Sequence, residues 1–142
     1  MKVAIGCDHT GVALKRALIE RVLADHTIID LGTDLPEPVD YPDIAKRVSS
    51  AIAAGEAERG ILICGTGIGM AMAAGKMAGI RAATCTEPYS AELSRRHNDA
   101  NILCLGARVI GVEMAEKITE TWLTTPFEGG KHARRVGKIE VL

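Results

Sequence analysis

Cys64 is the cysteine in this sequence whose neighbours invite chemistry, because it is followed by Gly65-Thr66-Gly67-Ile68-Gly69, where three of five residues are glycine. A glycine-rich turn presents main-chain N–H groups to negative charge, and such donors favour a sulfur anion at an adjacent thiol. A proton acceptor can result. Thr66 adds a hydroxyl that can polarise or relay, although threonine in a turn often serves only its own backbone. The loop has two other readings: a tight turn with no ligand, or a dinucleotide fingerprint with Glu87 as ribose acceptor. The spacing argues against the second, since the run is GxGxG instead of GxGxxG and follows the third apolar run instead of the first. A phosphate loop of the Walker type is excluded, because no Gly-Lys-Ser/Thr follows. For Cys7, Cys85 and Cys104, core packing is the reading, as befits a small and readily buried side chain.

Other candidates gather around this loop. Asp8-His9 follows the first apolar run, a position where polar pairs act on ligands in open α/β sheets. His97-Asn98-Asp99-Ala100-Asn101 precedes the last such run, and His97 is expected near the same sheet edge as His9. A metal site from Asp8, His9 and His97 has no i, i+4 histidine pair or carboxylate cluster behind it, so no metal is expected. Arg108, Lys131, Arg134 and Arg135 are candidates for holding a phosphate, by a bidentate fork for arginine and a point charge for lysine. Most surface cations are idle. What singles these out is the glycine pair Gly129-Gly130 before the C-terminal group, and the place of Arg108 just past the fifth run.

The elements that must position these groups alternate, with short β-branched runs near Val3–Ile5, Ile28–Leu31, Ile61–Cys64, Arg81–Cys85 and Ile102–Leu105 separated by amphipathic stretches. This is the pattern of a parallel sheet with helices on both faces. The expected strand order is 2-1-3-4-5, which sets the loops after strands one and three side by side at the switch point. Helix one should turn Leu14, Ala17, Leu18 and Val22 to the sheet and Lys15, Arg16 and Glu20 away from it. A second helix should start at Pro42, bury Ile44, Val48, Ala51 and Ile52, and stop at Gly55. The last long helix should pack Met114, Ala115, Ile118 and Trp122, followed by a turn and a short C-terminal helix.

At 142 residues the chain is expected to form a single domain over 1–142, with 126–142 as a basic C-terminal segment. Its 17 basic and 18 acidic residues leave a formal charge of -1, which argues against a general nucleic-acid surface and makes any anion site local. No apolar run suits a membrane span, and Met1 leads directly into a strand-like segment, so a cytoplasmic protein is expected. The nearest cysteines, Cys85 and Cys104, are 19 positions apart, so there is no CxxC half-site and disulfides are not expected.

Taken together and in order, GCDHTG, DYP, GILICGTGIGM, EPYSAELSRRHNDAN, LGARVIG and EGGKHARRV resemble the ribose-5-phosphate isomerase B family, which includes galactose-6-phosphate isomerase subunits. The resemblance spans essentially the whole chain. It implies a Rossmann-like three-layer sandwich, no cofactor, and a homodimer or dimer of dimers with sites at the subunit interface. It also implies a role in carbohydrate metabolism, in the pentose phosphate pathway. By the same resemblance, Cys64 is the base that moves a proton between C2 and C1 of ribose 5-phosphate, while Gly65, Gly67, Gly69 and Asn98 stabilise the enediolate. Asp8, Thr66 and His97 would assist ring opening and proton handling; His9, Arg108 and Arg135 would hold the phosphate, and Tyr41 would line the pocket.

Two departures qualify this. Lys131 stands where the family often has arginine, which removes a bidentate phosphate contact there, and Gly75 replaces a frequent asparagine. Met70 occupies the position where one branch carries a glutamate base, which places this chain with the cysteine branch. The alternatives are an isomerase of a six-carbon phosphate (galactose- or allose-6-phosphate), a non-catalytic sugar-phosphate sensor and a nicotinamide-dependent enzyme.

Overall fold

The five apolar runs form five parallel strands: β1 (Lys2–Cys7), β2 (Thr27–Asp30), β3 (Arg59–Cys64), β4 (Ala82–Thr84) and β5 (Ile102–Gly106). The helices are α1 (Val12–Arg21), α2 (Tyr41–Ala53), α3 (Ile68–Ala74), α4 (Pro88–Arg96), α5 (Val112–Thr124) and α6 (Lys131–Ile139). The computed structural model describes all 142 residues. No helix is long and apolar enough to cross a membrane.

The strand order is β2-β1-β3-β5-β4, so the expected order of the last two strands is reversed. Burial explains the exchange. Every residue of β5 is buried, which suits a strand flanked on both sides, whereas β4 has three residues, none fully buried, and takes the edge. The switch point between β1 and β3 survives, with Cys7 in register with Ile63. The exchange also pairs Cys64 with Gly106, which brings the loop after β5 beside the glycine loop.

Alternation along the strands divides the core into two apolar clusters. Val3, Ile5, Ile61, Ile63, Leu103 and Leu105 pack with Leu18, Ala91, Ile118 and Trp122, so α1, α4 and α5 cover one face. Ala4, Leu62, Cys64, Ile102 and Cys104 pack with Ile44, Val48, Met70 and Ala74, so α2 and α3 cover the other. Helix α2 starts at Tyr41, one residue before the expected Pro42, and Gly55 turns the chain beyond its end with φ +72°. Ile52 is only partly buried.

Two helical assignments need correcting. Met114 is exposed at 43%, because it lies on the outer side of α5 away from Ala115, Ile118 and Trp122. Lys15, expected on the outer side of α1, is fully buried. Its Nζ donates to Asp34 Oδ1 at 2.8 Å, to the Thr33 carbonyl at 2.9 Å and to Asp30 Oδ1 at 3.0 Å. Burial by itself lowers the amine's pKa, but the hydrogen bonds from Asp34 and Asp30 outweigh it and the net shift is upward. The lysine therefore stays charged and ties the loop after β2 to α1.

Lys15→Met keeps the apolar stem while stranding the Thr33 carbonyl and two carboxylates. Because those carboxylates keep partial access to water, the loss should fall at the low end of a broken buried pair, about 3 kcal/mol, read as a lower urea midpoint. An unchanged midpoint would show that the amine contributes nothing net.

Candidate functional site

At the carboxyl ends of β1, β3 and β5, the chain encloses a cleft of about 490 Å³. Its lining includes Asp8, His9, Tyr41, Cys64, Thr66 and Arg108. Gly65 and Gly69 line it too, and Met72 and Ile68 stand exposed at its rim. Eight of the residues expected to do chemistry thus meet in one place, with Gly67 shaping the turn behind them.

Cys64 ends β3, and its Sγ accepts the N–H of Gly67 at 3.2 Å. That contact depends on a left-handed residue at Gly67, whose φ is +78°. A Cβ there would lie 3.0 Å from the Leu105 carbonyl carbon, so the turn also needs the close approach that glycine permits. The Thr84 hydroxyl holds the Gly67 carbonyl at 3.2 Å. Gly65, Thr66 and Gly69 direct their N–H groups to no acceptor within the chain, which leaves them for a ligand oxygen. The Thr66 hydroxyl accepts from Ile68 N at 3.3 Å, so its local role is real, yet the residue is exposed at the cleft.

The neighbouring loops fix the polar groups. Thr10 donates to Asp8 Oδ1 through both its N–H, at 2.9 Å, and its hydroxyl, at 2.6 Å, leaving Oδ2 free. Val39 N–H donates to His9 Nδ1 at 3.2 Å, which puts the imidazole's own proton on Nε2 as a donor. The Arg108 amide donates to the Gly65 carbonyl at 3.0 Å, and its side chain lies across Gly65, 3.6 Å from where a Cβ would stand. The Tyr41 ring packs so closely on Gly69 that a Cβ there would come within 2.7 Å of it. Arg108 makes no ion pair, so its charge is available to an anion.

His97 and Asn98 are elsewhere, contrary to the expectation that His97 shares a sheet edge with His9. A crossover helix runs antiparallel to its strands, so the end of α4 returns to the amino edge, where Asn101 N–H meets the Arg81 carbonyl and Gly60 N–H the Asn101 carbonyl. With ~3.3 Å per residue, the two edges lie on the order of 15 Å apart. Asn98 is exposed at a second cleft, of about 320 Å³, which includes Arg81, Ser94 and Ile139. Lys131, Arg134 and Arg135 are also exposed and free of ion pairs, on α6, which joins this second group through His132.

His132 and Glu128 are the residues that sequence reasoning missed. The rings of His97 and His132 stack at 4.1 Å with 6° between their planes, and Glu128 Oε2 lies 3.2 Å from His132 Nε2 and 3.8 Å from His97 Nε2. The Glu128-to-His132 spacing of i, i+4 was the available signal. These three groups could approach a cation, but parallel stacked rings aim their nitrogen lone pairs side by side instead of at a common point, so the arrangement reads as a ring stack on a carboxylate.

The family model for ribose/galactose isomerase matches residues 3–139. The ribose-5-phosphate isomerase B of Escherichia coli (strain K12) is 49% identical over 99% of this chain and 95% of that protein. A D-erythrulose-4-phosphate isomerase of Pectobacterium atrosepticum is 44% identical over 98% and 93%. Among solved structures, the ribose-5-phosphate isomerase B of Clostridium thermocellum superposes with a TM-score of 0.97 at 52% identity, covering 99% of this chain and 96% of its own.

The four thiols differ in a way alkylation can read. Burial pushes Cys7 and Cys85 from 9.0 up to about 11, and raises Cys104 further. At about pH 8 their thiolate fractions are therefore down roughly a hundredfold or more, while Cys64 opens on the cleft. Iodoacetamide followed by peptide mass spectrometry should label Cys64 first, by at least about tenfold. Equal labelling of Cys7 or Cys85 would remove its distinction.

Proposed function

The chain belongs to the ribose/galactose isomerase family, and from that premise we propose that it interconverts ribose 5-phosphate and ribulose 5-phosphate, with Cys64 as the base. The observation that carries the assignment of the base is the Gly67 N–H aimed at Cys64 Sγ, in a cleft that also holds free main-chain donors and Arg108. The Cys64 thiolate takes the proton from C2 of the open-chain aldose, and the carbonyl electrons move onto O1. The N–H groups of Gly65, Thr66 and Gly69 meet that oxygen as its charge develops. A proton then passes from O2 to O1, for which the Thr66 hydroxyl is placed as relay, and the Cys64 thiol returns its proton to C1 as the C2 carbonyl forms. One such oxyanion donor is worth ~3 kcal/mol and general-base catalysis ~10²- to 10⁴-fold.

The phosphate is held by His9 Nε2–H and Arg108 in the same cleft, with Tyr41 as a wall. Arg135, Lys131, Asn98 and His97 reach the substrate from a second copy of the chain, in a homodimer that brings one protomer's amino edge to its partner's carboxyl edge. Two features support this reading: the expected site residues fall into two separate groups, and Ile68 and Met72 stand exposed, at 52% and 69%, on the rim. A cytoplasmic location accords with four free cysteines.

Cys64→Ala should abolish isomerisation of ribose 5-phosphate and the exchange of its C2 proton with solvent, yet still bind the sugar phosphate in calorimetry. Near-native turnover would remove Cys64 as base. The shared site has a separate test. Refolding a mixture of inactive Cys64→Ala and His97→Ala chains should restore activity, because a mixed dimer then contains one site with both groups intact. No recovery from a demonstrated mixed dimer would place each site within one chain.

A further inference from the structure

His97 does not stand alone. Glu128 and His132 come back to the end of α4 through a turn that only glycine makes easily, with φ of +72° at Gly129 and +55° at Gly130. The turn is latched by the Glu128 N–H on the Arg96 carbonyl at 3.1 Å and by Arg96 Nε on Glu128 Oε1 at 3.0 Å. His132 is buried at 8% exposure, and its ring lies flat on that of His97.

The charges in this cluster are ordered. The hydrogen bond from Arg96 holds the Glu128 carboxyl below the usual carboxylate range, so it is ionised. Burial, and next the His97 charge, push His132 below the ordinary imidazole value, so at neutral pH it is an uncharged ring with its Nε2 3.2 Å from Glu128 Oε2. Two stacked imidazolium rings would repel, and a neutral His132 lays an uncharged ring against His97. Glu128 Oε2, at 3.8 Å from His97 Nε2, is beyond hydrogen-bond range but close enough to offset the charge that a proton transfer puts there.

We propose that Glu128 and His132 are the positioning residues of His97, the neutral ring fixing its plane and the carboxylate compensating its charge during opening of the cyclic sugar. The inference rests on the reading of His97 as the proton-handling group for that step. In ring opening the C1–O4 bond breaks, the C1 carbonyl forms, one proton leaves O1 and one arrives on O4. A histidine that gains and loses a single proton serves this exchange only if its ring is held still and its charged form is tolerated.

The test exploits a chemical asymmetry. Ribose 5-phosphate is mostly a closed ring, whereas in ribulose 5-phosphate the O5 oxygen is esterified and O4 could close only a four-membered ring, so the ketose is acyclic. Exchange of the C1 hydrogen of ribulose 5-phosphate with solvent deuterium therefore passes through the enediolate without any ring step, whereas isomerisation of ribose 5-phosphate needs both steps. Glu128→Gln and His132→Ala should lower kcat/KM for isomerisation of ribose 5-phosphate by ~10- to 100-fold, as loss of a group that orients a histidine commonly does. The loss in deuterium exchange into ribulose 5-phosphate should be smaller by about tenfold. His132→Phe, which keeps a flat ring in the same space, should recover part of what His132→Ala loses and guards against a folding defect. Wild-type rates in Glu128→Gln and His132→Ala, equal losses in isomerisation and exchange, or a phenylalanine variant no better than alanine would each overturn the proposal. His97→Ala in parallel separates the two levels. If that variant shows the split between isomerisation and exchange and the other two do not, only the positioning pair falls. If it shows none, the role of His97 falls and the pair with it.

Discussion

A single left-handed residue organises the cleft at the carboxyl edge of the sheet. Gly67 must turn against the handedness that L-residues prefer so that its N–H reaches back to Cys64 while its α-carbon slides past the end of β5. Because β3 and β5 are paired with Cys64 opposite Gly106, the backbone after β5 supports that turn from below. A Cβ at Gly106 would meet the Thr66 backbone at 2.8 Å, so the two loops touch as main chain on main chain with no side chain between them. The thiol, the free amides and Arg108 thus take their positions from one packed backbone crossing and not from long flexible side chains.

Much of this was legible in the sequence because it is local. Cys64, the glycines after it, Asp8-His9 and Arg108 each sit directly behind a buried strand, and in a parallel sheet every strand's carboxyl end faces the same way. Residues one or two positions past such ends must meet, whatever the order of the outer strands. The exchange of β4 and β5 was not legible, since hydrophobic periodicity says that a run is a strand and not which strand lies beside it. Lys15 was misread because an amphipathic pattern assigns every lysine to water, and the acidic residues that neutralise it lie at the end of β2 and in the loop beyond it.

His97 illustrates a different limit. It follows a helix and precedes a strand, which places it at the amino edge by the return of the crossover, although the residues around it read like a loop near the site. The structure turns that misplacement into information: the expected site residues are divided between two surfaces of opposite character. One is rigid, built of strand ends and glycine, and carries the thiol. The other is built of side chains, with a ring stack, a carboxylate and unpaired cations on α6.

The attachment of α6 has a consequence for how such a chain can diversify. This helix buries only His132 and Val136 and enters through two consecutive glycines in left-handed conformations. Its cations therefore sit on a module with little stake in either apolar cluster, and exchanging an outer residue there costs the sheet almost nothing. The outward positions of this helix can therefore change independently of the packed backbone crossing at the other edge, and one architecture can present different charges there without rebuilding its sheet.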